Sequence, residues 1–271
     1  MGDRLEGRVA VITGAGQGIG EGIARRFARE GCKVVVAEYN DRTGPAVAAE
    51  LAALGGEGLF VHTDVTVKEQ AIACVEAAAA RWGRIDVLVN NAYAGRGGKR
   101  YRIEWKADDD MRRAYEVNVM AAFWTMNAAF PQMRDQGGGS IINLCSLNGV
   151  NAHMFTVEYN ASKEALRTLT RTAAVEWGKH RIRCNVICPN ALTDAARAMQ
   201  ADNPAMFEKL LEANPMRRFG DAESDIGGAA LLLASDDASY ITGNTLFVGG
   251  GTHINGVPWR MELPDTIDEL G

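Results

Sequence analysis

Seven short, continuously apolar runs constrain this chain more than any other feature. They lie at about 8–12, 33–38, 58–62, 85–90, 140–145, 182–187 and 245–249. Strands covered on both faces read as unbroken apolar runs, whereas half-exposed strands alternate. Longer alanine-rich stretches separate them, at about 18–30, 41–54, 67–82, 108–135, 156–178 and 223–234. This strand–helix rhythm predicts one parallel sheet of seven strands. Right-handed crossovers then place helices on both faces, giving a doubly wound, three-layer α/β/α architecture. No internal repeat or long linker divides the 271 residues, so a single domain over 1–271 is expected.

Two stretches break the rhythm. One is the loop 92–107, AYAGRGGKRYRIEWKA; the other is 189–220, which carries its own short helix. Both follow a strand, so both lie at the carboxyl end of the sheet, where ligands bind in open α/β folds. The segment at about 190–220 is therefore read as a substrate lid. A tail, 252–271, continues past the last strand and either covers a neighbouring active site through Trp259 or is mobile.

The net charge of −5 gives no reason to expect a nucleic acid or an anionic membrane as partner. No apolar run approaches the length of a membrane span. The five cysteines, Cys32, Cys74, Cys145, Cys184 and Cys188, form no CxxC pair and no metal-ligand spacing. They read as buried free thiols in a reducing compartment, with no metal and a cytoplasmic location expected.

The first predicted strand runs into TGAGQGIG and then into the first helix. Gly14, Gly18 and Gly20 have the spacing G-x3-G-x-G, with Gln17 and Ile19 between them. Glycine there permits a tight turn, backbone approach to a pyrophosphate, and close helix–strand contact. Free N–H groups and the positive dipole end of the helix then face the phosphates. This is a Rossmann-type nucleotide site, the alternative being a glycine-rich turn without a ligand. Glu38 ends the second strand, where an acid accepts both ribose hydroxyls of an adenosine and repels a 2′-phosphate. NAD is therefore expected rather than NADP. Asp64 and Val65, after the third strand, are placed to meet the adenine edge and face; helix capping is the alternative role of Asp64.

Tyr159 and Lys163 are four residues apart and share a helix face. Tyrosine titrates near pH 10 and a nearby cation lowers that value, so the pair is suited to proton transfer. The plain alternative is two polar residues on a solvated face.

The ordered motifs TGAGQGIG at 13–20, NNA at 90–92, Asn118 within YEVNVMAAF, Ser146 within NLCSLNG and YNASK at 159–163 decide between them. With these, the chain resembles the short-chain dehydrogenase/reductase family, in its compact single-domain branch, over about residues 7–255. The resemblance implies a catalytic tetrad of Asn118, Ser146, Tyr159 and Lys163. Tyr159 is then the general acid/base, Ser146 a donor to the substrate oxygen, and Lys163 a partner of Tyr159 and of the nicotinamide ribose. Asn118 is implied to bend its helix and hold a water linking Lys163 to solvent. Asn91, Leu192 and Thr193 match cofactor-contacting positions, Thr193 facing the nicotinamide amide. The implied activity is NAD-dependent interconversion of a secondary alcohol and a ketone, in a homotetramer formed through the helices near 108–135 and 156–178.

Three positions depart from the family pattern. Asn190 replaces a glycine, and asparagine is the next most tolerant residue at positive φ; Tyr93 replaces the glycine closing NNAG, and Gly249 replaces an aspartate. These bear on the substrate, not on the reaction. The pocket is read as Tyr93, Leu147, Asn148, His153, Met154, Asn190 and the lid, mostly apolar and suited to a small-molecule alcohol on a ring or other mid-sized apolar body. Alternatives are an NADP-preferring ketone reductase, a catalytically silent NAD-binding regulator, and enoyl reduction or dehalogenation on the same frame.

Overall fold

A computed structural model describes residues 2–93 and 100–254, apart from the side chains of 194 and 195. Seven strands form one sheet: β1 (Val9–Thr13), β2 (Lys33–Glu38), β3 (Glu57–His62), β4 (Val87–Asn90), β5 (Gly139–Leu144), β6 (Ile182–Pro189) and β7 (Thr245–Val248). Their order is β3-β2-β1-β4-β5-β6-β7, and every neighbouring pair is parallel.

Helices cover both faces. They are α1 (Gly18–Ala28), α2 (Thr43–Leu51), α3 (Lys68–Trp82), α4 (Asp108–Tyr115), α5 (Ala121–Asp135), α6 (Leu147–Val150), α7 (Val157–Trp177), α8 (Asp194–Asp202), α9 (Pro204–Ala213) and α10 (Gly227–Ala234). The pleat of each strand divides the core in two. Ala10, Ile12, Val34, Val36, Val87 and Ile142 pack on one side with Ile23 and Phe27 of α1 and Leu231 of α10. Val9, Val11, Val35, Leu88 and Ile141 pack on the other with Cys74 of α3, Met126 of α5 and Ala173 of α7. Continuous apolarity in sequence therefore corresponds to alternate burial against two helical layers.

The sequence predicts one helix over 108–135. The structure breaks it: α4 and α5 are joined by a π-helical turn, Glu116–Met120, that carries Asn118. The widened turn leaves the Ala114 carbonyl to the Asn118 side chain, whose Nδ2 donates to it at 3.0 Å. A side chain inserted into the i→i−4 ladder is an established cause of such bulges. The expected single short lid helix is likewise two helices, α8 and α9. They divide at Asn203, whose Oδ1 accepts the Met206 N–H at 3.0 Å while Pro204 opens α9.

Strand order reverses about β1, which pairs with β2 on one edge and β4 on the other. The crevice beyond its carboxyl end is the topological switch point, the place where this architecture binds ligands.

Candidate active site

The glycine turn connects Thr13 at the end of β1 to α1. Gly20 sits so close beneath the turn that a Cβ would lie 2.2 Å from the Gly14 carbonyl oxygen. Gly18 has φ +58°, and a Cβ there would meet nothing within 4 Å. The first glycine serves packing; the second keeps an open backbone surface. Gln17 is the N-cap of α1 but offers no side-chain cap, so the first-turn N–H groups have no side-chain partner. Uncapped donors beside open backbone fit a pyrophosphate.

Glu38 is buried at the end of β2. Its Oε2 accepts the Gly16 N–H at 2.9 Å and its Oε1 the Asn40 N–H at 3.0 Å. A carboxylate fixed at this point fits ribose hydroxyls and opposes a 2′-phosphate. Asp64 Oδ1 accepts both the Thr66 N–H (2.9 Å) and the Thr66 hydroxyl (2.7 Å), shaping the turn before α3. Of its two possible roles, the local turn is therefore realised by one oxygen. Val65 lies with Asn118 and Lys163 around a small buried cavity.

Asn91 donates through Nδ2 to the carbonyls of Thr13 (2.9 Å) and Gly14 (3.0 Å), so its amide is committed to holding the glycine turn. Asn90 braces the strand ends, donating to Asn143 Oδ1 at 2.9 Å and accepting from Thr125 at 2.7 Å. Thr13, the first residue of the TGAGQGIG motif but given no role of its own there, accepts the Asn91 and Ala92 N–H groups on its Oγ1 at 3.1 and 3.0 Å. Its only sequence signal is a hydroxyl at the end of an apolar strand.

The four tetrad candidates come together beyond β5. Ser146 follows β5 as the N-cap of α6, accepting the Asn148 N–H at 3.1 Å. Tyr159 and Lys163 lie on the first turns of α7, with the Lys163 Nζ 5.7 Å from the Tyr159 ring centroid. Asn118 reaches α7 through Nδ2, which donates to Ser162 Oγ at 3.1 Å, and Ser162 in turn donates to the Tyr159 carbonyl at 2.9 Å. Asn118 Oδ1 is buried without a hydrogen-bond partner.

Burial pushes the Tyr159 hydroxyl well above the ordinary tyrosine range, and the opposing influence is its hydrogen bond to Ser146. The Lys163 Nζ donates to the Leu144 carbonyl at 2.8 Å, and burial holds the ammonium below the usual lysine range. The four-residue spacing brings the two groups together, and burial acts on both, raising the Tyr159 hydroxyl and lowering the Lys163 ammonium.

The residues predicted for the substrate divide into two groups. Tyr93 stands edge-on to Tyr159, with centroids 5.2 Å apart and planes at 69°. Burial, then the Glu158 carboxylate, raises its hydroxyl above the ordinary range. Leu147 and Asn148 directly follow Ser146 in α6. Asn190 continues β6, its N–H donating to the Val248 carbonyl at 2.9 Å. It is absent from the residues with positive φ, so replacing glycine here requires no left-handed backbone. His153 and Met154 instead line a cavity of about 810 Å3 with Tyr101, Ile103, Asn160 and Glu164, none of which belongs to the tetrad. Burial lowers the His153 pKa. The loop holding these two residues contains Ala152 and Phe155 at φ +50° and +67°, conformations uncommon outside glycine.

Leu192 and Thr193 lead into the lid. The Leu192 N–H donates to Gly220 at 2.9 Å, and Thr193 Oγ1 caps α8 by accepting the Ala196 N–H at 3.4 Å. One further element had no sequence signal, because its residues are 52 apart. Lys106 and Glu158 form a buried ion pair at 2.7 Å, with side chains 3% and 11% exposed, tying the end of the 92–107 loop to the head of α7. Residues 94–99 of that loop, and all of the tail beyond 254, lie outside the described residues.

A nucleotide crevice at the switch point, next to a Ser–Tyr–Lys group at the head of α7, defines a class of dinucleotide-dependent oxidoreductases. Comparison with known proteins agrees. Residues 14–253 match the sequence profile of a family described as Enoyl-(Acyl carrier protein) reductase. The chain is similar to 7alpha-hydroxysteroid dehydrogenase of Escherichia coli K12, with 39% identity over 249 residues, covering 92% of this chain and 95% of the relative. It is similar to 12alpha-hydroxysteroid dehydrogenase of a Clostridium species, with 37% identity over 254 residues, covering 91% and 97%. A solved structure of 7 alpha-hydroxysteroid dehydrogenase complexed with NADH and 7-oxo glycochenodeoxycholic acid superposes with a TM-score of 0.86 at 38% identity, covering 94% of this chain and 96% of that one. The chain belongs to the short-chain dehydrogenase/reductase family, whose members include these alcohol-oxidising enzymes.

Proposed function

We propose that this protein is an NAD-dependent dehydrogenase of a secondary alcohol carried on a ring or similar apolar body, a hydroxysteroid being the first class to test. The observation that carries the reading is the fixed Glu38 carboxylate beneath an uncapped, glycine-lined helix terminus, on the same sheet edge as Ser146 and Tyr159. The relatives' hydroxysteroid names supply the substrate class.

In this reading Gly14, Gln17, Gly18, Ile19 and Gly20 hold the pyrophosphate, and Glu38 the adenosine ribose. Asp64 and Val65 meet the adenine. Asn91 supports the turn, while Leu192 and Thr193 meet the nicotinamide end. NAD, when bound, supplies the hydride acceptor. Tyr159 takes the alcohol proton at its phenolic oxygen, and Ser146 donates to the same substrate oxygen. Ser146 also begins to offset the burial of the phenol. Asn118 and Lys163 border a buried cavity of about 10 Å3, roughly one water, and the orphan Asn118 Oδ1 gives such a water an acceptor. This supports the proton relay that the resemblance implies.

Tyr93, Leu147, Asn148 and Asn190 form the nearer substrate wall. His153 and Met154 contact only a substrate long enough to reach the larger cavity. We place the whole of 1–271 in one catalytic domain, with the lid at about 190–220. A homotetramer is supported by apolar side chains left open on adjoining helices, including Phe123 (45% exposed) and Val175 (84%). Five buried, unpaired cysteines suit a cytoplasmic location; no helix of the described residues is long and apolar enough to cross a membrane.

The test follows NADH formation by its near-ultraviolet absorbance, with hydroxysteroids and smaller ring alcohols offered alongside NAD or NADP. Turnover with NAD and a ring alcohol is expected. Tight NAD binding without turnover of any alcohol would instead favour a silent regulator, and faster turnover with NADP would overturn the role of Glu38.

A further inference from the structure

A second cavity, of about 430 Å3, opens beside the glycine turn, between α1 and the lid. Four arginines and three carboxylates line it, one cation in excess. Three of the arginines are neutralised. Arg25 pairs with Glu21 at 2.7 Å and with Glu50 at 2.9 Å, Arg26 with Glu30 at 2.8 Å, and Arg29 with Glu223 at 2.5 Å. The fourth, Arg197, makes no side-chain hydrogen bond or ion pair among the described residues.

Arg197 is placed by its helix. Thr193 caps α8, and the Arg197 N–H donates to the Thr193 carbonyl at 2.9 Å, closing the first turn. The two residues therefore lie one above the other on one face of α8. Both line the same cavity as Gly18, the first residue of α1. An unpaired guanidinium thus shares a cavity with an uncapped helix N-terminus. Each favours an anion, and a planar guanidinium suits phosphate oxygens.

We propose that Arg197 is a positioning residue that binds the cofactor's pyrophosphate from the lid side, opposite the glycine turn. The inference rests on the dinucleotide reading above and extends it. The glycine turn holds the phosphates from below; Arg197 joins α8 to them from above. Cofactor binding then fixes the lid helix that carries Thr193.

The test is equilibrium binding to wild type, Arg197→Gln and Arg197→Lys, using NAD, ADP-ribose and adenosine as probes. Arg197→Gln is expected to weaken NAD and ADP-ribose by about tenfold, the scale of one charge-assisted hydrogen bond at a partly exposed site. Adenosine, which lacks phosphate, should bind within about twofold of wild type. Arg197→Lys should recover part of the loss, because it keeps the charge without the fork. ADP-ribose affinity should also fall less steeply with added salt in Arg197→Gln than in wild type. Unchanged ADP-ribose affinity would overturn the proposal. So would an equal loss of adenosine affinity, which would mean local damage rather than a lost phosphate contact. Wild type that binds neither NAD nor ADP-ribose would overturn the dinucleotide reading itself, and the role of Arg197 with it.

Discussion

The nucleotide half and the substrate half of the crevice are built differently. The first consists of strand ends β1–β3 and a turn fixed by backbone contacts: Gly20 against Gly14, Asn91 on Thr13 and Gly14, Glu38 on Gly16. The second consists of segments that follow β4, β5 and β6. It includes three non-glycine residues at positive φ (Ala152, Phe155 and Arg217), a two-helix lid, and residues that line more than one cavity. Backbone-built recognition tolerates little variation and suits a ligand common to many enzymes. Loop-built recognition varies at low cost to the core, and the proposed function puts the specificity of this chain there.

Several substitutions test that division. Lys163→Met, at the head of α7 where the two halves meet, should lower turnover by about a thousandfold, the usual scale for losing a general acid–base system, and should also weaken NAD. Retention of more than a tenth of the wild-type rate would break the assignment. Glu38→Ala should raise the NAD dissociation constant by about tenfold and narrow the preference over NADP, read by titration with both nucleotides. Gly20→Ala, whose new methyl meets the Gly14 carbonyl, should cost about 1–3 kcal/mol of stability in denaturant unfolding.

Ser146→Ala removes the influence that lowers the Tyr159 pKa. The acid limb of the oxidation pH profile should therefore move to higher pH, in addition to a fall in rate. A limb that moves to lower pH would contradict the burial account. On the loop side, Met154→Ala should leave small ring alcohols within about twofold of the wild-type kcat/KM and change only the longest substrates. An equal loss for small alcohols would join the two groups of substrate residues that the structure separates.

Much of this was legible from sequence, for a physical reason. Strands buried on both faces must be apolar throughout, so the central strands β1, β2, β4, β5 and β6 appear as runs, and the half-buried edge strands β3 and β7 keep enough apolar residues to read the same way. The glycine turn and the Tyr159–Lys163 spacing are local patterns, visible within a few residues. What escaped depends on distant or desolvated groups. The bend at Asn118 is implied by the resemblance, but its π-helical form, like the division of the lid at Asn203, arises from a side chain competing for backbone groups. The Lys106–Glu158 pair joins residues far apart in the chain. Spacing carries no measure of burial, which is the largest influence on both Tyr159 and Lys163.

The central claim is that Tyr159 performs the chemistry without being needed for the nucleotide. Tyr159→Phe removes one oxygen and leaves the ring against Tyr93. NAD binding by titration should stay within about threefold of wild type, while alcohol oxidation at saturating NAD falls by about a thousandfold, the scale of lost acid–base catalysis. Turnover that survives the substitution would contradict the account.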